Sequence, residues 1–329
     1  MKAVIPVAGA GTHMRPHTHT QPKPLIPVAG EPILSHIIKK LHSAGIKDFI
    51  FVVGYMGDKI KNYLDAHFKN IIHYECVVQE PRLGLAHAIY LCKNFLINEP
   101  EIVISLGDII VDADFSEIIN FPHSLVTLHT VSNPCEYGVA IVDEQNKVLH
   151  LTEKPKIPKS NLALVGIYKI KEVNLLFDTL EKVLNQSLKK EYHLTEALML
   201  MIQEHVNIYG YKVNNWYDCG KKEALLQSNR LLMKSLPSFS QPTYINSVII
   251  PPISIHPSVI IEDSIIGPYV AIGESTVIKK SIIEDAIIGS FATLDRIILK
   301  NSIVGNDTSL KGRSQSINIG DNTEINFNE

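Results

Sequence analysis

The sequence predicts an α/β domain with a mostly parallel sheet over residues 1–236, followed by a parallel β-helix over residues 243–329. Three observations carry this. Apolar strand-like runs alternate with helical patterns through the first part. A polar, proline-containing stretch, Ser235-Leu-Pro-Ser-Phe-Ser-Gln-Pro242, then interrupts them as a linker. Beyond it, helical periodicity gives way to short aliphatic repeats. A length of 329 residues suits two domains of ~100–200 residues each.

In the first domain, Lys2–Val7, Phe49–Val53, Ile71–Val78 and Glu101–Leu106 read as strands. Ile33–Ala44, Gly57–Phe68 and Leu85–Leu96 read as helices, with apolar residues three and four apart. Such alternation makes a parallel sheet covered on both faces. Ligands of these sheets bind beyond the C-terminal ends of the strands, so chemistry-bearing motifs are expected directly after strands.

In the second domain, residues 241–329 hold 21 Ile and 5 Val among 89 residues. The repeats include Ser247-Val-Ile-Ile, Ser258-Val-Ile-Ile, Ser264-Ile-Ile-Gly, Ser281-Ile-Ile-Glu and Ser302-Ile-Val-Gly, and Ile266-Gly and Ile272-Gly stand six apart. A six-residue spacing of aliphatics with small polar residues between them is a β-helix signature. Each face of the coil buries one aliphatic, and the small residues take the corners. A β-sandwich of Ile-rich strands is the alternative, but the repeats are too short for hairpins and lack strict alternation.

Composition excludes several classes. With 31 basic against 34 acidic side chains, the net charge of −3 provides no broad nucleic-acid surface. A hydrophobic content of 45% excludes a disordered chain. No run of ~18 apolar residues exists to span a membrane. The opening MKAVIPVAGA imitates a secretory signal, but its apolar stretch is too short and Pro6 interrupts it. The four cysteines lie far apart with no CxxC, as expected of reduced thiols in a cytoplasmic protein.

After Val7 comes Ala8-Gly-Ala-Gly-Thr-His-Met-Arg-Pro16, a glycine-rich turn whose backbone N–H groups can approach phosphate oxygens. It lacks the GK[ST] of a Walker A loop and the third glycine of the dinucleotide fingerprint, and Pro16 stops a helix where that fingerprint needs one. A simple tight turn is the alternative for this loop taken alone. Downstream, Lys23 sits between Pro22 and Pro24, which stiffen its backbone. A stiff lysine near an anion cradle suits a triphosphate.

The order GxGTxxxP, then PKPLxPVxGxPI, then a helix ending Ala44-Gly45-Ile46, resembles the sugar-1-phosphate nucleotidylyltransferases, most of all the glucose-1-phosphate thymidylyltransferase and uridylyltransferase branch in its long form. The resemblance implies a Rossmann-like nucleotidyltransferase domain, a left-handed hexapeptide-repeat β-helix and transfer of a nucleotidyl group from dTTP or UTP to a sugar 1-phosphate, foremost glucose 1-phosphate. It places the nucleotide on Ala8, Gly9, Gly11 and Thr12, and the base on Gln79 and Gly84 of Gln79-Glu-Pro-Arg-Leu-Gly-Leu-Ala86. An amide both donates and accepts, which suits a pyrimidine edge. Asp108, closing Leu106-Gly107-Asp108, and Asp218, in Trp216-Tyr-Asp-Cys-Gly220, would share a Mg²⁺; an N-cap is the alternative role for Asp218. The sugar phosphate would be held by Tyr137, Gly138, Glu153, Lys154, Tyr168 and Glu191, with Lys154 as the point charge on the phosphate. Lys189 is the weaker neighbour of Glu191, and Glu196 stands where the family's LTD motif has Asp.

One departure stands out. The family has Arg directly after the GT of the first loop, and this chain has His13. Neutral His supplies less charge at pH 7, so Arg15, two residues on, is the candidate substitute. The expected catalytic set is therefore His13, Arg15, Lys23 and Lys154. A non-catalytic nucleotide-sugar-binding or regulatory homologue stays open on the same ground. His13, His17 and His19 could chelate a transition metal, but no cysteine or acidic residue stands near them in sequence. Hexapeptide β-helices often carry acyltransferases, yet this one is short and has His256 as its lone histidine. Self-association into a homo-oligomer is its expected work.

Overall fold

The computed structural model describes residues 1–186, 190–234 and 244–312. Lys189, the linker at 235–242 and everything beyond 312 lie outside the described residues. The chain divides into two compact units, Met1–Ser228 and Asn229–Glu329, the division falling within the helix Lys222–Lys234.

The first unit is organised by four parallel neighbours, Ile102–Ser105, Lys2–Val7, Asp48–Val53 and His73–Val78, in that order. Lys2–Val7 is central, and its Ala3, Val4 and Ile5 have no exposed surface. The helix Ile33–Ser43 buries Ile33, Leu34, Ile37, Ile38 and Leu41, the one-sided spacing that the sequence shows. Full burial of each such side chain contributes ~1.5–3 kcal/mol. The expected single helix over 85–96 is two, Leu85–Tyr90 and Lys93–Leu96. The Cys92 N–H donates to Ile89 O at 3.0 Å, tightening the turn between them.

Beyond Ile102–Ser105 the pairing turns mostly antiparallel, with Ile208–Lys212 running parallel to Ser124–Thr130. Leu162–Ile170 pairs with Ile102–Ser105 and also carries Ser124–Thr130 and Gly138–Val142, with Val148–Glu153 at the edge. Gly138–Val142 and Val148–Glu153 are joined by a short link with no crossover helix, which permits only antiparallel pairing. The loops after Lys2–Val7, His73–Val78 and Ile102–Ser105 emerge from one end of the parallel core.

The second unit is a coil of short parallel strands in three faces, a curled architecture consistent with the left-handed β-helix implied by the resemblance. One inward aliphatic per face forms its core: Ile266, Ile272, Ile278, Ile283, Ile288 and Leu294 have at most 2% exposure. Their spacing is five or six residues, not a uniform six. Successive coils are therefore 17 residues apart at Ile265↔Ile282 and 16 apart at Ile282↔Ile298. Where a face is shortened to five, the residue two after the inward aliphatic adopts a left-handed backbone, as at Asp263, Lys280, Asp285, Arg296 and Asn301. The six-residue faces carry a left-handed residue too, one position later, at Tyr269, Ser275 and Phe291, so the shorter faces differ by one residue before the corner and not by its conformation. Corner serines add a ladder: Ser264 N–H donates to Ser247 Oγ, Ser281 N–H to Ser264 Oγ and Ile297 N–H to Ser281 Oγ.

No helix among the described residues is long and apolar enough to cross a membrane. Cys76, Cys92, Cys135 and Cys219 are free thiols.

Candidate active site

A cleft of ≈ 740 Å³ opens in the first unit at the end of the sheet from which these loops emerge. Its floor is the glycine-rich turn. Gly11 has φ +59° and starts a single 3-10 turn, Thr12–Met14, and Thr18 Oγ1 donates to Gly11 O at 2.8 Å, holding the loop closed. Ala8, Gly9, Gly11, Thr12 and His13 all line the cleft.

Lys23 and the two predicted aspartates meet at one point. Lys23 Nζ lies 2.6 Å from Asp108 Oδ2 and 3.3 Å from Asp218 Oδ1. Strand pairing explains how residues so far apart in sequence converge: Asn215–Asp218 runs antiparallel to Ile109–Asp112, with Asp218 opposite Ile109, and Cys219 N–H donates to Asp108 O at 3.1 Å. Asp218 ends a strand and thus does not serve as a helix cap. Burial works to lower the Lys23 pKa, but Asp108 and then Asp218 outweigh it and hold the ammonium above its ordinary range. Neighbouring Cys219 is the opposite case: burial pushes its thiol up to about 12, so it is inert as a nucleophile at neutral pH. Two partly exposed carboxylates bracketing a cation form a hard-oxygen pair of the kind Mg²⁺ uses, with waters and substrate phosphates completing an octahedron.

The base segment lies on the opposite wall, with Gln79, Arg82, Gly84 and Leu85 facing the cleft. Gln79 Nε2 donates to Gly84 O at 2.9 Å and stands 3.3 Å from His87 Nδ1. Gly84 has φ +97°, and a Cβ there would sit 2.5 Å from Tyr192 O and 2.7 Å from Glu191 Cγ. No side chain fits. The same close approach is fixed by Tyr192 N–H donating to Leu83 O at 2.8 Å and Ala86 N–H to Tyr192 O at 3.1 Å. Glu191 is thereby brought onto the wall beside the base segment.

The sugar-side residues are gathered less completely. Lys154 lines the cleft, and its N–H donates to Tyr137 O at 3.0 Å, tying the two segments together. Tyr137 packs edge-on against Trp216 with centroids 4.9 Å apart, and burial followed by Asp218 raises its pKa. Glu153 accepts from Thr195 Oγ1 at 2.5 Å, and a Cβ on Gly138 would meet Glu153 Oε2 at 3.0 Å. Tyr137, Gly138 and Glu153 thus form one cluster that does not line the cleft itself. Tyr168 is buried, within electrostatic reach of Glu153. A register shift between Leu164 and Tyr168, around Gly166 at φ +110°, directs its ring into the buried core. Burial raises its pKa beyond any use as a base.

Arg15 is exposed and absent from the cleft lining, so at this loop the wall carries His13. His17 is half-buried, and burial lowers its pKa. No group of three or more metal-binding side chains exists among the described residues, so His13, His17 and His19 form no such cluster. Two contributors escaped the sequence reading. Arg82 adds a fixed positive charge to the wall, and it lies within the segment quoted for Gln79 and Gly84. Thr195 reaches Glu153 across 42 residues of sequence, which no local motif signals.

Comparisons with known proteins bear on the family and the fold. Two proteins named bifunctional protein GlmU are similar. That of Methanococcus aeolicus is 40% identical over 238 residues, 72% of this chain and 55% of the relative. That of Methanococcus vannielii is 35% identical over 321 residues, 95% of this chain and 73% of the relative. This chain thus spans little more than half the length of the first of these. A glucose-1-phosphate thymidylyltransferase of Streptomyces antibioticus is 27% identical over 94% of this chain and 93% of its own. Among solved structures, a Bacillus anthracis chain described as a glucose-1-phosphate thymidylyltransferase, in complex with a sucrose, superposes with a TM-score of 0.62 at 26% identity, covering 73% of this chain and 98% of that one. Residues 2–235 match the nucleotidyl transferase family, and the chain belongs to that family.

Proposed function

We propose that the chain transfers a nucleotidyl group from UTP or dTTP to a sugar 1-phosphate, releasing pyrophosphate. The observation that carries this is the convergence of Lys23, Asp108 and Asp218 beside the glycine-rich loop, in one cleft with Gln79 and Gly84. The acceptor's phosphate oxygen attacks the α-phosphorus, and no side-chain nucleophile is required, because a phosphate monoester is already anionic at pH 7. Catalysis is positioning plus charge neutralisation. Asp108 and Asp218 would hold Mg²⁺, which when bound would neutralise phosphate charge. Lys23, held beside the glycine-rich loop, would neutralise the charge of the departing phosphates. Lys154 and Arg82 add fixed charge on the wall, while Glu153, steadied by Thr195, and Glu191 receive sugar hydroxyls. Glucose 1-phosphate is the first acceptor to try, following the Streptomyces relative's name. The GlmU-named relatives are more alike at 40% and 35%, so the screen covers other sugar 1-phosphates too. Pyrophosphate release across that screen is the test, and no release from any pair would refute the reading.

His13 on the cleft wall favours one second reading, a protein that binds nucleotide sugars without turnover. Nucleotide binding with no pyrophosphate release would select it. We further propose that the coil associates with a second copy of this chain. Val248, Ile265, Ile282 and Ile298 stack in register as an exposed aliphatic ladder along one face. A pair of substitutions, Ile265→Asp with Ile282→Asp, should lower the mass in solution; an unchanged oligomer would contradict this.

A further inference from the structure

The Gly84 carbonyl has no proton to give, so the group 2.9 Å from it on the Gln79 amide must be the nitrogen. The second proton of that nitrogen meets His87 Nδ1 at 3.3 Å. Nδ1 can accept it only in the neutral tautomer that carries its proton on Nε2. Burial lowers the His87 pKa, which keeps this form populated at neutral pH. Both protons of the amide are then committed. Gln79 Oε1 has no hydrogen-bond partner among the described residues, and the side chain lines the cleft.

We infer that His87 is a positioning residue that, with the Gly84 carbonyl, locks the Gln79 amide so that only an acceptor faces the base. Turning the amide over would set Oε1 against two acceptors, the carbonyl oxygen and the Nδ1 lone pair, and lose two hydrogen bonds. The Gly84 carbonyl alone would oppose the turn with half that set. An acceptor at this point pairs with the N3–H of uracil or thymine. Cytosine has a lone pair at N3, so two acceptors would meet. His87 thereby sharpens rejection of cytosine without touching the base. This inference rests on the proposed nucleotide site.

Equilibrium binding of UTP and CTP to the full chain tests it independently of turnover. The wild-type protein should prefer UTP. In His87→Leu the preference should shrink by about tenfold, the value of one neutral hydrogen bond. His87→Gln, which can accept through Oε1, should restore it to within about twofold of wild type. His87→Lys, able only to donate, should reduce it at least as far as Leu, and it carries the test if the Leu variant does not fold. An unchanged preference in Leu and Lys variants that melt near wild type would overturn the role of His87 alone. So would Gln behaving like Leu. A wild-type protein that binds UTP and CTP equally would overturn the base assignment and this inference together.

Discussion

The cleft and the coil build order by opposite rules. In the coil every strand lies on the strand 16 or 17 residues away, and each inward aliphatic stacks on its own kind. In the cleft, Lys23 meets partners 85 and 195 residues distant, and each contact occurs once. Repetition makes the coil's stability a sum of similar layers. Convergence makes the cleft's chemistry depend on single atoms. Substitutions in the cleft should therefore change turnover more than stability, and those in the coil the reverse.

Asp108→Ala gives the sharpest contrast. Pyrophosphate release should fall by about 10³-fold or more, because half of the proposed ion-binding pair is gone. Asp218 still pairs Lys23, so the melting temperature should barely move; unchanged turnover would refute the metal assignment. Ile283→Ala is the mirror test. It removes a fully buried side chain from the coil at about 2–5 kcal/mol. Calorimetry should show the loss, while UTP affinity stays the same. Gly84→Ala comes next: its Cβ has no room against Tyr192 O, so UTP should bind about tenfold or more weakly by titration calorimetry. His13→Arg should raise kcat several-fold if the wall is short of charge; no gain would show that Arg82 or Arg15 already suffices, or that the protein does not catalyse. The smallest effect is expected at Ile282→Ser on the exposed ladder, about 0.5 kcal/mol or less in melting experiments.

Legibility in the sequence follows the same division. The coil is legible because its rule is local, but its pitch is mixed: the inward Ile278, Ile283 and Ile288 recur every five residues and Ile266, Ile272 and Ile278 every six. Lys23, Asp108, Gln79 and Gly84, which the sequence marks after strands or in a stiff loop, all line one cleft. Arg15 lies past the Thr12–Met14 turn, which leaves His13 on the wall instead. Strand position alone does not show that Tyr168 packs in the core while lying within electrostatic reach of Glu153. Thr195 and His87 act through other side chains across the fold, and neither carries a motif of its own.

The central claim is that the cleft joins a triphosphate to a sugar phosphate. It is tested most directly by incubating the full chain with Mg²⁺, UTP or dTTP labelled at the α-phosphate, and glucose 1-phosphate or another sugar 1-phosphate, and following the label. Label should appear in a nucleotide-sugar product, with one pyrophosphate released per product and none without the sugar phosphate. Label that stays in bound, unreacted triphosphate with every acceptor would contradict it.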